Sequence, residues 1–482
     1  MSVNNKVIER AILSHLSPGF GGTRIPDWMK SWLEKGLGGV TLFSSNCPSI
    51  EETANLIAEL RRYTPHVIIS IDEEGGDVTR LFVREGSPFP TPAMLGRSDD
   101  LELTMNSYME LGKILKQVGI DLNLAPVADV SVNQLNPIVG VRSFGSNFEL
   151  VTRHLKVAVE GLRRAGIASS IKHFPGHGGV LEDSHHDLPQ LEGDLKEIES
   201  THLKPFLTAI EAGVDSIMMG HIVTPALDKE FPASLSKKII THYLKQKLGF
   251  TGIVMTDALD MGAIGGPKKI ALSALQAVRA GADLLCFSGL SDQSSFIESS
   301  FTLINDAVNN GDMSAEAIIS NAERLQSWRP PKPQGSSAPQ PLPLSKIADG
   351  FEINGDMVLR GEDVVLVELS ADPTIAAGFV SWGMRRALIR IGKKVKLESS
   401  NAVSHIEPNA QVVVAFRDAY RDQRILNILH RIEKQFPNSI FIDMGWPTRE
   451  FQPSNMIRTF GSSEIAAEAV AQIFDSSQAS LR

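Results

Sequence analysis

Apolar runs that break into polar loops recur along the first 290 residues. Segments 36–43, 67–71, 122–129, 167–171, 214–221, 252–257 and 283–288 each carry clustered aliphatic side chains and then turn to Asp, His, Ser or Gly. Such short runs, bounded by turn residues, predict strands buried on both faces. Between them the apolar positions recur at helical spacing. This predicts helices near 49–62, 104–118, 150–165, 236–248, 270–280 and 315–325. Ser49 followed by Glu52 has the spacing of a capping box and marks the start of the first. Repeated strand–loop–helix units imply a parallel sheet with helical crossovers. Where the polar residues fall selects the architecture. Asp72, Asp129, Lys172, His173, His221 and Asp257 all lie at or just past the C-terminal end of a run. A (β/α)8 barrel carries its chemistry on that face, whereas an open sheet gathers its site at one switch point. The expected fold is α/β, a (β/α)8 TIM-type barrel over residues 1–328.

Residues 329–345 are rich in Pro, Ser and Gln and read as an extended, fairly stiff linker. Beyond it the alternation restarts, with apolar runs at 364–369, 411–416 and 439–443. Ile425, Ile428, Leu429, Ile432 and Phe436 mark one face of an intervening helix. Residues 346–482 are expected to form a smaller α/β sandwich. Its strand ends offer only Arg417, Asp418, Asp443 and Trp446, which favours an accessory domain over a catalytic one.

Composition narrows the class. A chain of 482 residues exceeds one ordinary domain, and 42% hydrophobic content fits a globular protein. A net charge of −9 argues against nucleic acid, which needs clustered Lys and Arg. The two cysteines, Cys47 and Cys286, suggest neither a disulfide framework nor a thiolate metal site. No segment reaches the ~18 apolar residues of a membrane span, and the N-terminus lacks a signal-peptide core. Cytoplasmic residence is the resulting expectation.

The stretch 171–189 concentrates the candidate chemistry. It holds four histidines, a lysine and three glycines directly after a buried strand, a common setting for reactive groups. Asp183 and His185 are two residues apart, so in an extended loop the carboxylate fixes and polarises the imidazole. A histidine so supported can give and take a proton near neutral pH. His186 has no such support. Gly176, Gly178 and Gly179 allow the loop to bend. Lys172 and His173, at the strand end, suit fixed hydrogen bonds to a polyol. Asp72 with Arg80 offers an acceptor and a donor, and Arg142 another donor. Asp257 closes a buried strand, where a carboxylate is costly unless hydrogen-bonded or functional. Strand-end aspartates also serve as caps and ion-pair partners, and Asp260 is a competing acid. His173, His177, His185 and His186 are numerous enough to bind zinc, but Pro175 and Gly176 exclude a helical i,i+4 ligand pair. No metal or cofactor is expected.

Lys172-His-Phe-Pro-Gly-His-Gly178, then Asp183-Ser-His185 and Leu188-Pro189, resembles the signature of glycoside hydrolase family 3 β-N-acetylhexosaminidases. Asp72-Glu-Glu-Gly-Gly76 with Arg80, 123–129, Arg142-Ser-Phe144, 232–236 and Thr256-Asp257 match that family in order. The resemblance implies Asp257 as nucleophile and His185 as acid/base with Asp183 as its partner. It implies Asp72, Arg80, Arg142, Lys172 and His173 as sugar-binding residues. The implied substrate is an N-acetylglucosamine-containing saccharide or muropeptide, cleaved with retention through a glycosyl-enzyme. A histidine acid/base avoids like-charge repulsion with Asp257 and titrates near neutrality. It also admits an anionic acceptor, so phosphorolysis is an in-family alternative, as is a broad β-glycosidase on the same scaffold. A non-catalytic sugar-binding protein is a further one. Two departures stand out: Gly179-Val180 replaces the family's Asp-Thr, and 256–261 reads Thr-Asp-Ala-Leu-Asp-Met. The loop is expected to close before His185 reaches the scissile oxygen.

Overall fold

The computed structural model describes residues 5–133, 136, 138–180, 188–289, 293–336, 338–399 and 406–479. They form two compact units. One comprises Met1–Glu73, Tyr108–Val139 and Ser146–Gln340; the other comprises Glu74–Ser107, Gly140–Gly145 and Pro341–Arg482.

Eight short strands build the first unit: β1 (Leu16–Pro18), β2 (Gly39–Leu42), β3 (Ile68–Ile71), β4 (Leu122–Asn123), β5 (Ala168–Phe174), β6 (Ser216–Met219), β7 (Ile253–Thr256) and β8 (Leu285–Phe287). Strands β2 to β7 pair in chain order, all parallel, and β1 pairs with β8. Thr256 N donates to Leu284 O at 3.0 Å and Gly38 N to Leu13 O at 3.0 Å, which brings β8 beside β7 and β1 beside β2. The ring therefore closes, as the sequence predicts. Side chains two apart on successive strands share its interior. Ile68, Leu122, Ala168, Met218, Ile253, Met255, Leu284, Cys286 and Leu325 belong to one cluster, with Ala258 and Trp328 packed against it. Small hydroxyls fill another part: Ser17 Oγ, Thr41 Oγ1 and Ser70 Oγ form a chain with steps of 3.1 and 3.0 Å.

The outer helices are amphipathic and capped. Phe148–Ala165 buries Val151, Leu155, Ala158 and Leu162; Asn147 caps its start, and Gly166 ends it in the left-handed conformation (φ 84°). Ser49 Oγ accepts Glu52 N at 3.1 Å at the start of Ile50–Tyr63. Two expectations change. β5 continues to Phe174, so Lys172 and His173 lie within the strand, not past it. The helix expected at 236–248 is a wide π-helix over Lys238–Lys247. The Pro-rich segment is tied down: Gln334 N donates to Arg164 O at 2.6 Å and Gln340 N to Glu110 Oε2 at 2.6 Å. No helix among the described residues is long and apolar enough to cross a membrane.

A second, mixed sheet forms the other unit: β9 (Glu352–Asn354), β10 (Asp363–Ser370), β11 (Lys394–Glu398), β12 (Val412–Arg417), β13 (Ile440–Asp443) and β14 (Met456–Arg458). Its order is β11-β10-β12-β13-β14-β9, with only β9 antiparallel. Ile425, Leu429, Ile432 and Phe436 pack onto Val412, Val414, Phe416 and Phe441, as their spacing predicts. The segment 74–107 belongs here. Asp77 accepts Arg417 Nη2 at 2.6 Å, Ser462 N at 2.6 Å and Ser462 Oγ at 2.9 Å. Asp443 accepts Thr448 N at 2.8 Å, and burial pushes its carboxyl up to about 7.

Candidate active site

Three parallel strand ends supply the charged groups of the barrel unit. Asp72 follows β3, Lys172 and His173 lie in β5 just before its last residue, Phe174, and Asp257 follows β7. Lys172 is almost fully buried, and its Nζ lies 2.6 Å from Asp72 Oδ1. Burying an ammonium is costly without a counter-charge, so the pair is mutually required. Asn123 on β4 fixes the chain beside Asp72: it accepts Glu73 N at 3.0 Å and donates to Glu73 O at 2.8 Å.

Asp129 organises the loop after β5. Its Oδ2 lies 2.7 Å from His173 Nδ1, and its Oδ1 accepts the backbone N–H of His173 at 3.2 Å and of His177 at 2.6 Å. Burial alone would raise this carboxyl. The His173 and His177 groups outweigh burial and hold it below the ordinary carboxylate range. With its Nδ1 proton donated to Asp129, His173 keeps Nε2 for a ligand; this tautomer follows from the hydrogen bond. His177 is pushed down to about 4, first by burial and then by His173, so it is neutral at neutral pH. Gly178 is required by packing, since a Cβ there would lie 2.0 Å from Val130 O.

Asp257 is held through its backbone. Its N–H donates to Met219 O at 2.9 Å, and its Oδ1 accepts Ala258 N at 2.8 Å. Buried His221 braces the next peptide: Nε2 lies 2.9 Å from Ala258 O and Nδ1 2.7 Å from Ser234 Oγ. The competing acid, Asp260, is tied to the end of β8 by Ser288 N at 2.9 Å and by Ser288 Oγ. Burial raises the Cys286 thiol well above its ordinary value, and the Asp257, Asp72 and Asp260 carboxylates add to the shift. Those three acids thus share one electrostatic neighbourhood.

Arg80 and Arg142 belong to the second unit, and both are buried. Arg142 forms a two-point ion pair with Glu74, Nε to Oε2 and Nη2 to Oε1, both at 2.8 Å. Asp183 and His185 lie outside the described residues, as does His186. Among the described residues no group of three or more His, Cys, Asp or Glu is placed to hold a metal ion. The positioning residues Asn123, Asp129 and His221 were not assigned roles from sequence. Asp129 and His221 do carry the strand-end signal, but nothing in sequence reveals which loop they grip.

Residues 16–328 match the family model described as the glycosyl hydrolase family 3 N-terminal domain. The beta-hexosaminidase of Chromobacterium violaceum is 37% identical over 256 residues, 52% of this chain and 71% of that protein. Among solved structures, a glycoside hydrolase family 3 β-N-acetylglucosaminidase from Paenibacillus sp. superposes with a TM-score of 0.85 at 27% identity, covering 99% of this chain and 97% of its own. NagZ from Neisseria gonorrhoeae, solved in complex with N-trifluoroacetyl-D-glucosamine, gives 0.54 at 28% identity, covering 65% of this chain and 98% of its own.

Proposed function

The chain belongs to glycosyl hydrolase family 3 and is a glycoside hydrolase, and from that premise we propose a retaining β-N-acetylglucosaminidase acting on peptidoglycan-derived fragments. Asp257 attacks the anomeric carbon while His185, partnered by Asp183, protonates the departing oxygen. His185 then removes a proton from the water that hydrolyses the glycosyl-enzyme. Asp72 and Lys172 present an acceptor and a donor to adjacent sugar hydroxyls, and His173 Nε2 a third polar group. Arg80 and Arg142 are further sugar-binding residues of this reading.

The observation that carries the proposal is the setting of Asp257. It ends a buried strand, is clamped at Ala258 N and sits in the same electrostatic neighbourhood as Asp72. A nucleophile needs this fixed backbone, because misplacement by about 1 Å costs orders of magnitude in rate. The relatives named beta-hexosaminidase and the ligand of the Neisseria structure support an N-acetylglucosamine-type sugar. The test is turnover of 4-nitrophenyl N-acetyl-β-D-glucosaminide against the corresponding glucoside. Strong preference for the former is expected; preference for the glucoside, or sugar 1-phosphate as the main product in phosphate buffer, would overturn the proposal.

A further inference from the structure

We propose that the second unit carries its own glycan-binding site at the switch point of its sheet. From β10 the chain runs out to β11 on one side and returns to β12 on the other. The connections leaving β10 and β12 therefore diverge. A crevice at the carboxyl ends of such strands is where open α/β sheets take ligands. A cavity of about 490 Å³ lies there, lined by Ser370 and Arg417, the last residues of β10 and β12. That volume is in the usual range for small-molecule sites, roughly 300–1,000 Å³.

The lining chemistry selects the ligand. Phe379, 85% exposed, and the partly exposed Trp382 present aromatic rings to the cavity, beside the carboxylates of Glu368 and Asp372. The negative face of an aromatic ring attracts the C–H face of a pyranose, while carboxylates accept hydrogen bonds from its hydroxyls. Phosphate fits poorly. Arg417 is already paired with Asp77, and Arg386 with Glu464 at 2.8 Å. Arg385, the third lining arginine, acts electrostatically on Glu368, and Asp372 adds a second carboxylate to the lining, so the cavity offers no net positive charge to an anion. A neutral saccharide is the complementary ligand. The choice of an N-acetylglucosamine glycan rests on the function proposed above.

The test is calorimetric titration of N-acetylchitotriose into the full chain. It is carried out in the Asp257→Ala background so that the probe is not consumed. Phe379→Ala, at an exposed position that leaves the fold intact, is expected to remove one class of binding sites or weaken it at least tenfold; Trp382→Ala is expected to do the same. With Asp257 restored, both substitutions are expected to leave aryl glycoside turnover within twofold of the parent. Unchanged isotherms for both variants would overturn the proposal. Failure of the underlying functional reading would show separately, as no aryl glycoside turnover by the parent chain.

Discussion

Lys172 Nζ rests 2.6 Å from Asp72 Oδ1, although the two residues are 100 positions apart. The pair joins β5 to the residue that follows β3. Lys172→Met deletes a charged donor and leaves Asp72 without its counter-charge. A hydrogen bond to a charged group contributes about 1.5–3 kcal/mol. We therefore expect kcat/KM on the aryl N-acetylglucosaminide to fall roughly 10- to 150-fold. Steady-state kinetics check this, and a fall below threefold would remove Lys172 from the binding set.

Asp129→Asn is expected to cost rate and stability together, because one carboxylate holds His173 Nδ1 and two loop N–H groups. Its folded-state value is below the ordinary carboxylate range, so its stabilisation is complete above about pH 4 and is lost as pH falls through that lower value. The difference in melting temperature between parent and variant should therefore be constant from pH 5 to 8 and shrink below pH 4. A difference that grew on acidification would contradict the ionised, hydrogen-bonded role.

His15 gives a separate pH signal. Burial pushes it from 6.5 down to about 4, against the opposing pull of Asp283. The unfolded chain takes the proton first, so stability falls as pH drops from 6.5 to 4, by about 3 kcal/mol in total for this group. His15→Gln should flatten thermal stability across that window and leave the slope above pH 7 unchanged. An equal slope in both proteins would show that His15 titrates normally.

Arg417→Met strands the buried Asp77 carboxylate, which burial already pushes upward. Removing one partner of a buried pair costs about 3–5 kcal/mol. Replacing both, with Asp77→Asn added, should recover most of that loss. Urea unfolding of the two variants measures it. Additive losses would show that the two charges are not coupled.

Much of the barrel was legible because its strands are buried on both faces and end abruptly in polar loops. Ile68–Ile71 and Ile253–Thr256 are pure examples. Strand Leu16–Pro18 escaped notice, being three residues with no β-branched side chain and a closing proline. Helices such as Lys204–Glu211 were too short to give a clear period. The grouping of 74–107 with the C-terminal half was also hidden. It depends on Asp77 meeting Arg417 across 340 residues, a pairing no local pattern encodes. At the candidate site, residue types marked Asp72, Lys172, His173 and Asp257 as candidates. The grip of Asp129 on His173 is a tertiary relation and became visible only in three dimensions.

The central claim is that Asp257 forms the covalent bond to the sugar. A 5-fluoro N-acetylglucosaminyl fluoride slows release of the intermediate, so the labelled chain can be digested and its modified peptide sequenced by mass spectrometry. The expected result is a single label on Asp257, absent from Asp257→Ala. A label on another residue, or direct inversion at the anomeric carbon with no labelled protein, would contradict it.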